Sequence, residues 1–253
     1  MANPHNPEHL DAPSPTRYAT AAFIMRRVFA LHGGFSYSGI GSLHSDEASL
    51  IVGPHRSNLE GPAIGLAAYD GAGIHMYSLA KKEHIDKPIF GSVLASLGAI
   101  GIDREQPFDR QTQPKAFSQL DRLVNARGYL LTFPEGTRNK FDTDEIDIKK
   151  LHRQAGLGLA AIFGMRIVFA GVSGTNIANG GDPFPIHVHF DRGFSVESVP
   201  LAANPTEQQI RSYTREVNRV TKLLKEPFHE RMQDAQNRAV IESGRELILP
   251  RTV

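Results

Sequence analysis

A histidine and a glutamate, His55 and Glu60, stand where a predicted strand turns into a predicted helix. The apolar run Ser49–Val52 predicts a strand that ends just before His55, and a helix is expected to begin near Asn58. The carboxylate in the first helical turn can then reach one imidazole nitrogen and leave the other free to accept a proton. An ordinary histidine, with a pKa of about 6.5, suits a general base near neutral pH. When this cluster is considered alone, a histidine that caps a loop explains the same pattern.

Cationic and small residues follow two further predicted strands. Arg104 comes soon after the run Ile100–Ile102, where an arginine offers a planar, forked donor to a phosphate. Gly136, Thr137 and Arg138 follow another apolar run. A glycine there lets the backbone approach a ligand, and neighbouring N–H groups can cradle an anion. For Arg104 the competing explanation is a surface ion pair with the preceding aspartate. For the residues from Gly136 to Arg138 it is an ordinary turn after a strand.

Weaker patterns complete the candidate chemistry. The run Ala170–Thr175 leaves a strand into small residues, which alone is more typical of a turn. His187, His189 and Asp191 alternate along a strand and share one face. That spacing could hold a metal ion, but two imidazoles on a solvated strand face explain it more simply, and no helical histidine pair completes a zinc site. We therefore predict no metal site.

Strands and helices alternate along the middle of the chain, which is typical of a mostly parallel central sheet flanked by helices. In such α/β folds ligands bind at the carboxyl ends of the strands, where the candidate clusters stand. First-turn prolines predict helices beginning at Pro88 and Pro114. The predicted strands are Ser49–Val52, Ile74–Leu79, Ile100–Ile102, Tyr129–Phe133, Ile167–Val172 and Ile186–Phe190.

The chain divides into four predicted parts. Residues 1–16 hold four prolines among polar groups and are expected to form a disordered tail. Residues 17–34 predict a basic amphipathic helix, which either packs on its own domain or rests on anionic lipid. Residues 35–200 form the predicted α/β domain, and residues 201–253 form a helical extension.

The predicted C-terminal extension has its own helical signals. Asn204, Pro205 and Glu207 resemble a cap, a first-turn proline and a supporting acid. Apolar residues then recur at helical steps over residues 210–224. Pro227 is expected to interrupt this helix, with a more polar helix following.

Composition narrows the class of protein. The net charge of +1 over 253 residues gives no general attraction to nucleic acid. The chain has no cysteine, which excludes disulfides, thiolate metal ligands and cysteine nucleophiles and suits the cytosol. The most apolar stretch, Leu157–Val172, contains Arg166 and predicts a helix followed by a strand, so no transmembrane span is predicted. The first residues hold prolines among polar groups, so no secretory signal is predicted.

In order and spacing, these clusters resemble the glycerolipid acyltransferase family, which includes the bacterial 1-acylglycerol-3-phosphate acyltransferases. That family carries a histidine and an acid separated by four positions, like His55 and Glu60, followed by three further blocks. The resemblance covers roughly Ser49 to Gly174, and its third block matches nearly letter for letter. The later blocks correspond to Gly98–Arg104, Phe133–Arg138 and Ile167–Gly174, and the runs Lys81–Glu83 and Pro88–Gly91 are also similar to the family.

The chain departs from the family pattern at three places. Glu60 stands where aspartate is usual, and it keeps the charge on a side chain one methylene longer; related lipid A acyltransferases carry glutamate there. Phe169 replaces a usual proline in the fourth block. After the third block the family usually has two lysines and a glycine, and near that position this chain has Arg153-Gln154-Ala155. The third change leaves the exact substrate open.

The resemblance implies a glycerol-phosphate acyltransferase-like fold and an O-acyltransferase reaction. Acyl-CoA or acyl carrier protein would donate the acyl group as a co-substrate, with no cofactor. His55 would take the proton from the acceptor hydroxyl, and Glu60 would orient the imidazole. The implied acceptor is 1-acylglycerol-3-phosphate, which gives phosphatidic acid.

The resemblance also assigns substrate-binding residues and partners. Arg104, Thr137 and Arg138 would bind the acceptor phosphate, with Glu135 and Gly136 shaping the same loop, and Lys82 and Ser57 are further candidate substrate contacts. The enzyme would lie in the cytoplasm against the inner face of the cell membrane, with lipid and thioester as partners and no nucleic acid. Two alternatives stay open: the same fold acylating glycerol-3-phosphate, another lysolipid, an amine or a sugar, or a lipid-binding protein with impaired catalysis.

Overall fold

The computed structural model describes residues 13–44, 46–103, 112–134, 155–175, 185–199 and 206–244. Helices and strands alternate along them, as the sequence predicts. The elements are α1 (Pro15–Leu31), β1 (Phe35–Ser38), a 3-10 helix (Ile40–Leu43), β2 (Ser49–Val52), α2 (Glu60–Ala72), β3 (Tyr77–Lys81), α3 (Lys82–Ile85), α4 (Pro88–Ser96), β4 (Ala99–Ile102), α5 (Pro114–Asn125), β5 (Tyr129–Thr132), α6 (Ala155–Phe163), β6 (Arg166–Ser173), β7 (Ile186–Ser195) and α7 (Glu207–Glu242).

The seven described strands form one sheet in the order β1-β7-β6-β2-β5-β3-β4. Strands β2 to β6 run parallel to one another, β7 is antiparallel to β6, and β1 runs parallel to β7. This confirms the predicted α/β class with a mostly parallel sheet. Because the five parallel strands all end at one side of the sheet, which we call the carboxyl edge, the segments that follow them start there.

Both faces of the sheet are covered by helices, which explains why its central strands are apolar throughout. On β2, Ile51 faces a core shared with α1 and α2. Its neighbours Leu50 and Val52 face the opposite core, shared with α5, α6 and α7. All four residues of β2 are buried, so the segment that follows it leaves the centre of the protein.

Helix α1 begins at Pro15, two residues earlier than predicted. Ser14 is its N-cap and accepts a hydrogen bond from the Arg17 N–H at 3.4 Å. A proline in the first turn is compatible with this start because its missing N–H would have no helical partner. The inner side of α1 buries Ala22 and Phe29 against the core next to α2.

Strand β1 was not predicted from the sequence. Its four residues, Phe35 to Ser38, include two serines and make a short, polar-rich edge strand. Pairing with β7 places Ser36 opposite His187 and Ser38 opposite His189. The strand therefore forms through its neighbour and not through local β propensity.

Helix α7 is continuous from Glu207 to Glu242, so the predicted interruption at Pro227 is wrong. A proline inside a helix costs about 3 kcal/mol. Burial of the adjacent Phe228, whose ring meets that of Phe169 edge to face at 5.3 Å, opposes that cost. The N-cap is also different: Thr206 forms a capping box with Gln209, in place of the predicted cap at Asn204.

Candidate functional site

His55 lies at the carboxyl edge, three residues after β2 and five before α2. Its imidazole is half-buried and stacks on Phe133, with ring centroids 4.7 Å apart and planes inclined by 22°. Phe133 follows β5, the strand next to β2. One face of the imidazole is therefore covered by the Phe133 ring.

The segment before His55 is tightly packed. Gly53 donates its N–H to the carbonyl oxygen of Thr132 at 3.2 Å, which extends the pairing of β2 with β5 by one residue. A Cβ at Gly53 would lie 2.5 Å from the Ile64 side chain. Glycine at this position therefore lets the chain leave β2 closely over helix α2.

Glu60 is fully buried and accepts three hydrogen bonds. Its Oε2 accepts from the backbone N–H of Ser57 at 2.7 Å and from the Ser57 hydroxyl at 3.1 Å. Its Oε1 accepts from the hydroxyl of Thr175 at 2.6 Å. Within the described residues, this carboxylate is thus held by Ser57 and Thr175, and its hydrogen bonds do not run to His55.

Ser57 shapes the turn that carries His55. Its side chain is buried, and its hydroxyl oxygen accepts the Leu59 N–H at 2.9 Å. Together with the return contact from the Ser57 N–H to Glu60, this is close to the capping box of Ser-x-x-Glu sequences. The turn between His55 and α2 is therefore built around the acid that the sequence pairs with the histidine.

The predicted phosphate-binding residues, Arg104, Glu135, Gly136, Thr137 and Arg138, lie outside the described residues. The strands that lead to them, β4 and β5, end at the carboxyl edge. Lys82 is described: it follows β3 as the exposed first residue of α3.

Thr175 is a site residue that the sequence analysis passed over as part of a weak pattern. It is buried, and it lies two residues beyond β6, next to β2 in the sheet. In the sequence, the only indication of such a role is that the predicted strand ends in Ser173-Gly174-Thr175 at the carboxyl edge. The hydrogen-bond partner of Thr175, Glu60, is 115 residues away in sequence. Only the strand order brings the two together.

The predicted solvated histidines of β7 are instead buried, so that interpretation is wrong. His187 and His189 are only 5% and 6% exposed. His187 Nε2 and His189 Nδ1 both lie 3.1 Å from the carboxylate of Glu242, near the end of α7, and Ser38 contacts all three groups. Helix α7 and strand β1 cover this face of β7, which sequence periodicity does not reveal.

The pKa values of two groups in this cluster are shifted. Burial lowers the pKa of His187, and its hydrogen bond and attraction to Glu242 oppose that effect. Burial acts to raise the pKa of Glu242, but the hydrogen bond from Ser38 and the nearby histidines outweigh it and lower that pKa. The arrangement is a polar contact between sheet and helix; among the described residues, no group of acidic and histidine side chains is arranged to hold a metal ion.

The outer side of α1 is apolar and basic. Phe23 and Ile24 are 56% and 53% exposed, and the Arg27 guanidinium lies 5.4 Å from the centre of the Phe23 ring. Arg17 is exposed on the same helix. In the part of the chain that the structure describes, none of the helices has the length and apolar character needed to cross a bilayer.

The family model described as Acyltransferase matches residues 34–167, which is more than half of the chain. The matched region contains both His55 and Glu60. The comparison with curated proteins gives no match.

The fold is similar to that of a solved structure, the 1-acyl-sn-glycerophosphate (LPA) acyltransferase PlsC from Thermotoga maritima. The two share 19% sequence identity with a TM-score of 0.51, over 82% of this chain and 79% of that one. At that identity the similarity establishes the fold alone. The sheet and its flanking helices are therefore shared by the two proteins.

Proposed function

The chain belongs to the acyltransferase family, and we propose that it transfers a fatty acyl group from a thioester to the free hydroxyl of 1-acylglycerol-3-phosphate. The product is phosphatidic acid, and the donor is acyl-CoA or acyl carrier protein. The observation that carries this proposal is the placement of His55 at the carboxyl edge, half-exposed and stacked on Phe133.

In this reaction His55 acts as the general base. One imidazole nitrogen takes the proton of the acceptor hydroxyl while that oxygen attacks the thioester carbonyl carbon. The tetrahedral intermediate then collapses, the carbon–sulfur bond breaks, and the imidazolium returns the proton to the leaving thiolate. General base catalysis of this kind contributes about 10²–10⁴ in rate. The reaction needs neither an acyl-enzyme nor a cofactor.

Glu60 is proposed to stabilise the imidazolium that forms on His55. Its carboxylate is buried in the turn that carries the histidine, where low polarity strengthens the effect of its charge. The donors from Ser57 and Thr175 keep the carboxylate in one place. An orienting contact to the imidazole, as in other base-and-acid pairs, would form when substrate binding draws the histidine towards the acid.

The acceptor phosphate is proposed to bind Arg104, Thr137 and Arg138, with Glu135 and Gly136 shaping the loop. Support comes from their sequence and from the strands that precede them, because β4 and β5 end at the same edge as β2. Guanidinium groups bind phosphate through paired, charge-assisted hydrogen bonds. Lys82, exposed after β3, is a further candidate contact for an anionic head group.

The protein is proposed to act from the cytoplasm on the inner face of the cell membrane. The exposed Phe23 and Ile24 of α1, with Arg17 and Arg27, suit an interface between acyl chains and anionic head groups. The inner side of the same helix packs on the domain. Helix α1 can therefore stay folded on the protein while its outer side contacts lipid.

A second candidate is a lipid-binding protein with impaired catalysis. It is favoured by the hydrogen bonds of Glu60, which run to Ser57 and Thr175 and not to the histidine. A third keeps the chemistry and changes the acceptor to glycerol-3-phosphate, another lysolipid, an amine or a sugar.

One screen separates these functions. The purified protein is incubated with acyl-CoA or acyl carrier protein and each acceptor in turn, and thiol release is followed together with the lipid products. We expect release that depends on lysophosphatidic acid and yields phosphatidic acid. Release that depends on another acceptor supports the third candidate, and lipid binding without release from either donor supports the second.

A further inference from the structure

We infer that Thr175 is a positioning residue for the proposed acyl transfer and that it acts through Glu60. The inference rests on the proposed function. The Thr175 hydroxyl donates to Glu60 Oε1 at 2.6 Å, and both residues are almost completely buried. This hydrogen bond joins the end of β6 to the turn that carries His55.

The two kinds of hydrogen bond at Glu60 have different roles. Those from Ser57 come from within the same turn, so they hold the local shape of the segment but not its place on the sheet. The one from Thr175 comes from another strand, so it fixes the second carboxylate oxygen relative to the sheet. Hydrogen bonds to charged groups are stronger and more directional than neutral ones, which makes Thr175 an effective anchor.

The strand that leads to Thr175 is itself held by helix α7. A Cβ at Gly171 would lie 1.9 Å from the carbonyl oxygen of Ala235, so helix and strand are in direct backbone contact there. The buried Gln236 amide accepts from the Val172 N–H at 3.0 Å and donates to the Val172 carbonyl at 2.9 Å. Its side chain thus pairs with β6 as a neighbouring strand would.

Contacts between α7 and β6 extend to Ser173, the last residue of the strand. The hydroxyl oxygens of Ser173 and Ser243 lie 2.8 Å apart, at the end of α7. Helix α7 therefore contacts three consecutive residues of β6, and Thr175 follows two residues later. Because these contacts hold the end of β6 against α7, the Thr175 hydroxyl is presented to Glu60 in a defined place. Helix α7 is thus connected to Glu60 through the end of β6 and Thr175.

Thr175→Val tests this role because valine keeps the shape of threonine and removes the donor. With the carboxylate less firmly held, we expect kcat to fall about 10-fold to 100-fold, as for the loss of a hydrogen bond to a charged group. The KM values for donor and acceptor should change less than about twofold, because Thr175 is almost completely buried. Thr175→Ser restores the hydroxyl and should recover kcat to within about threefold of the parent protein.

A double-mutant cycle with Glu60→Gln separates positioning from a general loss of structure. If Thr175 acts through Glu60, adding Thr175→Val to Glu60→Gln should lower kcat by less than about threefold further. The inference is overturned if Thr175→Val keeps the parent kcat, if Thr175→Ser is as impaired as the valine variant, or if the effects of Thr175→Val and Glu60→Gln multiply. Thermal melting checks that each variant folds, and Thr175→Ala replaces the valine variant under the same criteria if valine prevents folding.

The parent protein and His55→Ala are measured in parallel. No thiol release from the parent with any acceptor would refute the proposed function itself. An active parent, an inactive His55→Ala and a fully active Thr175→Val would refute only the role of Thr175.

Discussion

The imidazole of His55 and the ring of Phe133 stack across the ends of two neighbouring strands, with centroids 4.7 Å apart. Strands β2 and β5 pair in register up to Val52 and Thr132, so each aromatic residue follows a paired strand end. The contact connects the proposed base to the segment that leads into Glu135–Arg138. The stacking therefore joins the turn after β2 to the end of β5.

Replacing Phe133 with leucine should reduce catalysis more than substrate binding. Leucine keeps the apolar character but lacks the flat face that holds the imidazole. We expect kcat to fall about tenfold, because misplacing a catalytic group by a fraction of an ångström is costly. Steady-state kinetics of thiol release measure this effect.

Phe194→Leu is the matched control, because Phe194 is another half-buried aromatic residue and lies near the far end of β7. It should leave kcat unchanged. Equal losses in both variants would mean that general packing, and not the stacking on His55, explains the effect.

Arg138→Ala should weaken binding of phosphorylated acceptors specifically. Loss of a guanidinium that pairs with phosphate is expected to raise KM for lysophosphatidic acid about 10-fold or more. The KM for a phosphate-free acceptor should change little. Arg215→Ala, at an exposed arginine of α7, serves as the control and should have no effect on either acceptor. A similar rise in KM for both kinds of acceptor would contradict a role in phosphate binding.

Stability should fall on acidification because of the cluster between β7 and α7. The pKa of His187 in the folded protein lies below its ordinary value of 6.5, chiefly because of burial, so the unfolded chain binds more protons as the pH drops below that value. The lowered pKa of Glu242 acts in the same direction at lower pH, since its carboxylate must also be protonated. Asp191 on β7 and Arg238 on α7 form a longer contact of 3.8 Å between the same strand and helix.

His187→Gln should therefore make the melting temperature less sensitive to pH between about 7 and 5. His44→Gln, at an exposed histidine ahead of β2, should keep the full pH dependence. Thermal unfolding followed by circular dichroism at several pH values gives both slopes. An unchanged slope in His187→Gln would show that other groups cause the acid sensitivity.

Much of the fold follows from local sequence signals. Six of the strands were predicted from their short apolar runs, and Pro88 and Pro114 begin helices where expected. Strand β1 was not predicted, because its polar residues gain their structure only by pairing with β7. The continuity of α7 through Pro227 likewise depends on tertiary packing around Phe228.

The candidate site could be predicted only in part for the same reason. The positions of His55 and Glu60 follow from the end of β2 and the start of α2. The partner of Glu60 could not be predicted, because Thr175 is distant in sequence and is brought near only by the pairing of β2 with β6. The burial of His187 and His189 depends in the same way on contacts with Ser38 and Glu242.

The central claim is that His55 is the base of an acyl transfer. The most direct measurement is the rate of thiol release from acyl-CoA and from acyl carrier protein, with lysophosphatidic acid present, for His55→Ala and for the exposed-site control His44→Ala. We predict that release falls to background, a loss of at least about 10²-fold, in His55→Ala and is unchanged in His44→Ala. Undiminished, acceptor-dependent release from folded His55→Ala would contradict the mechanism.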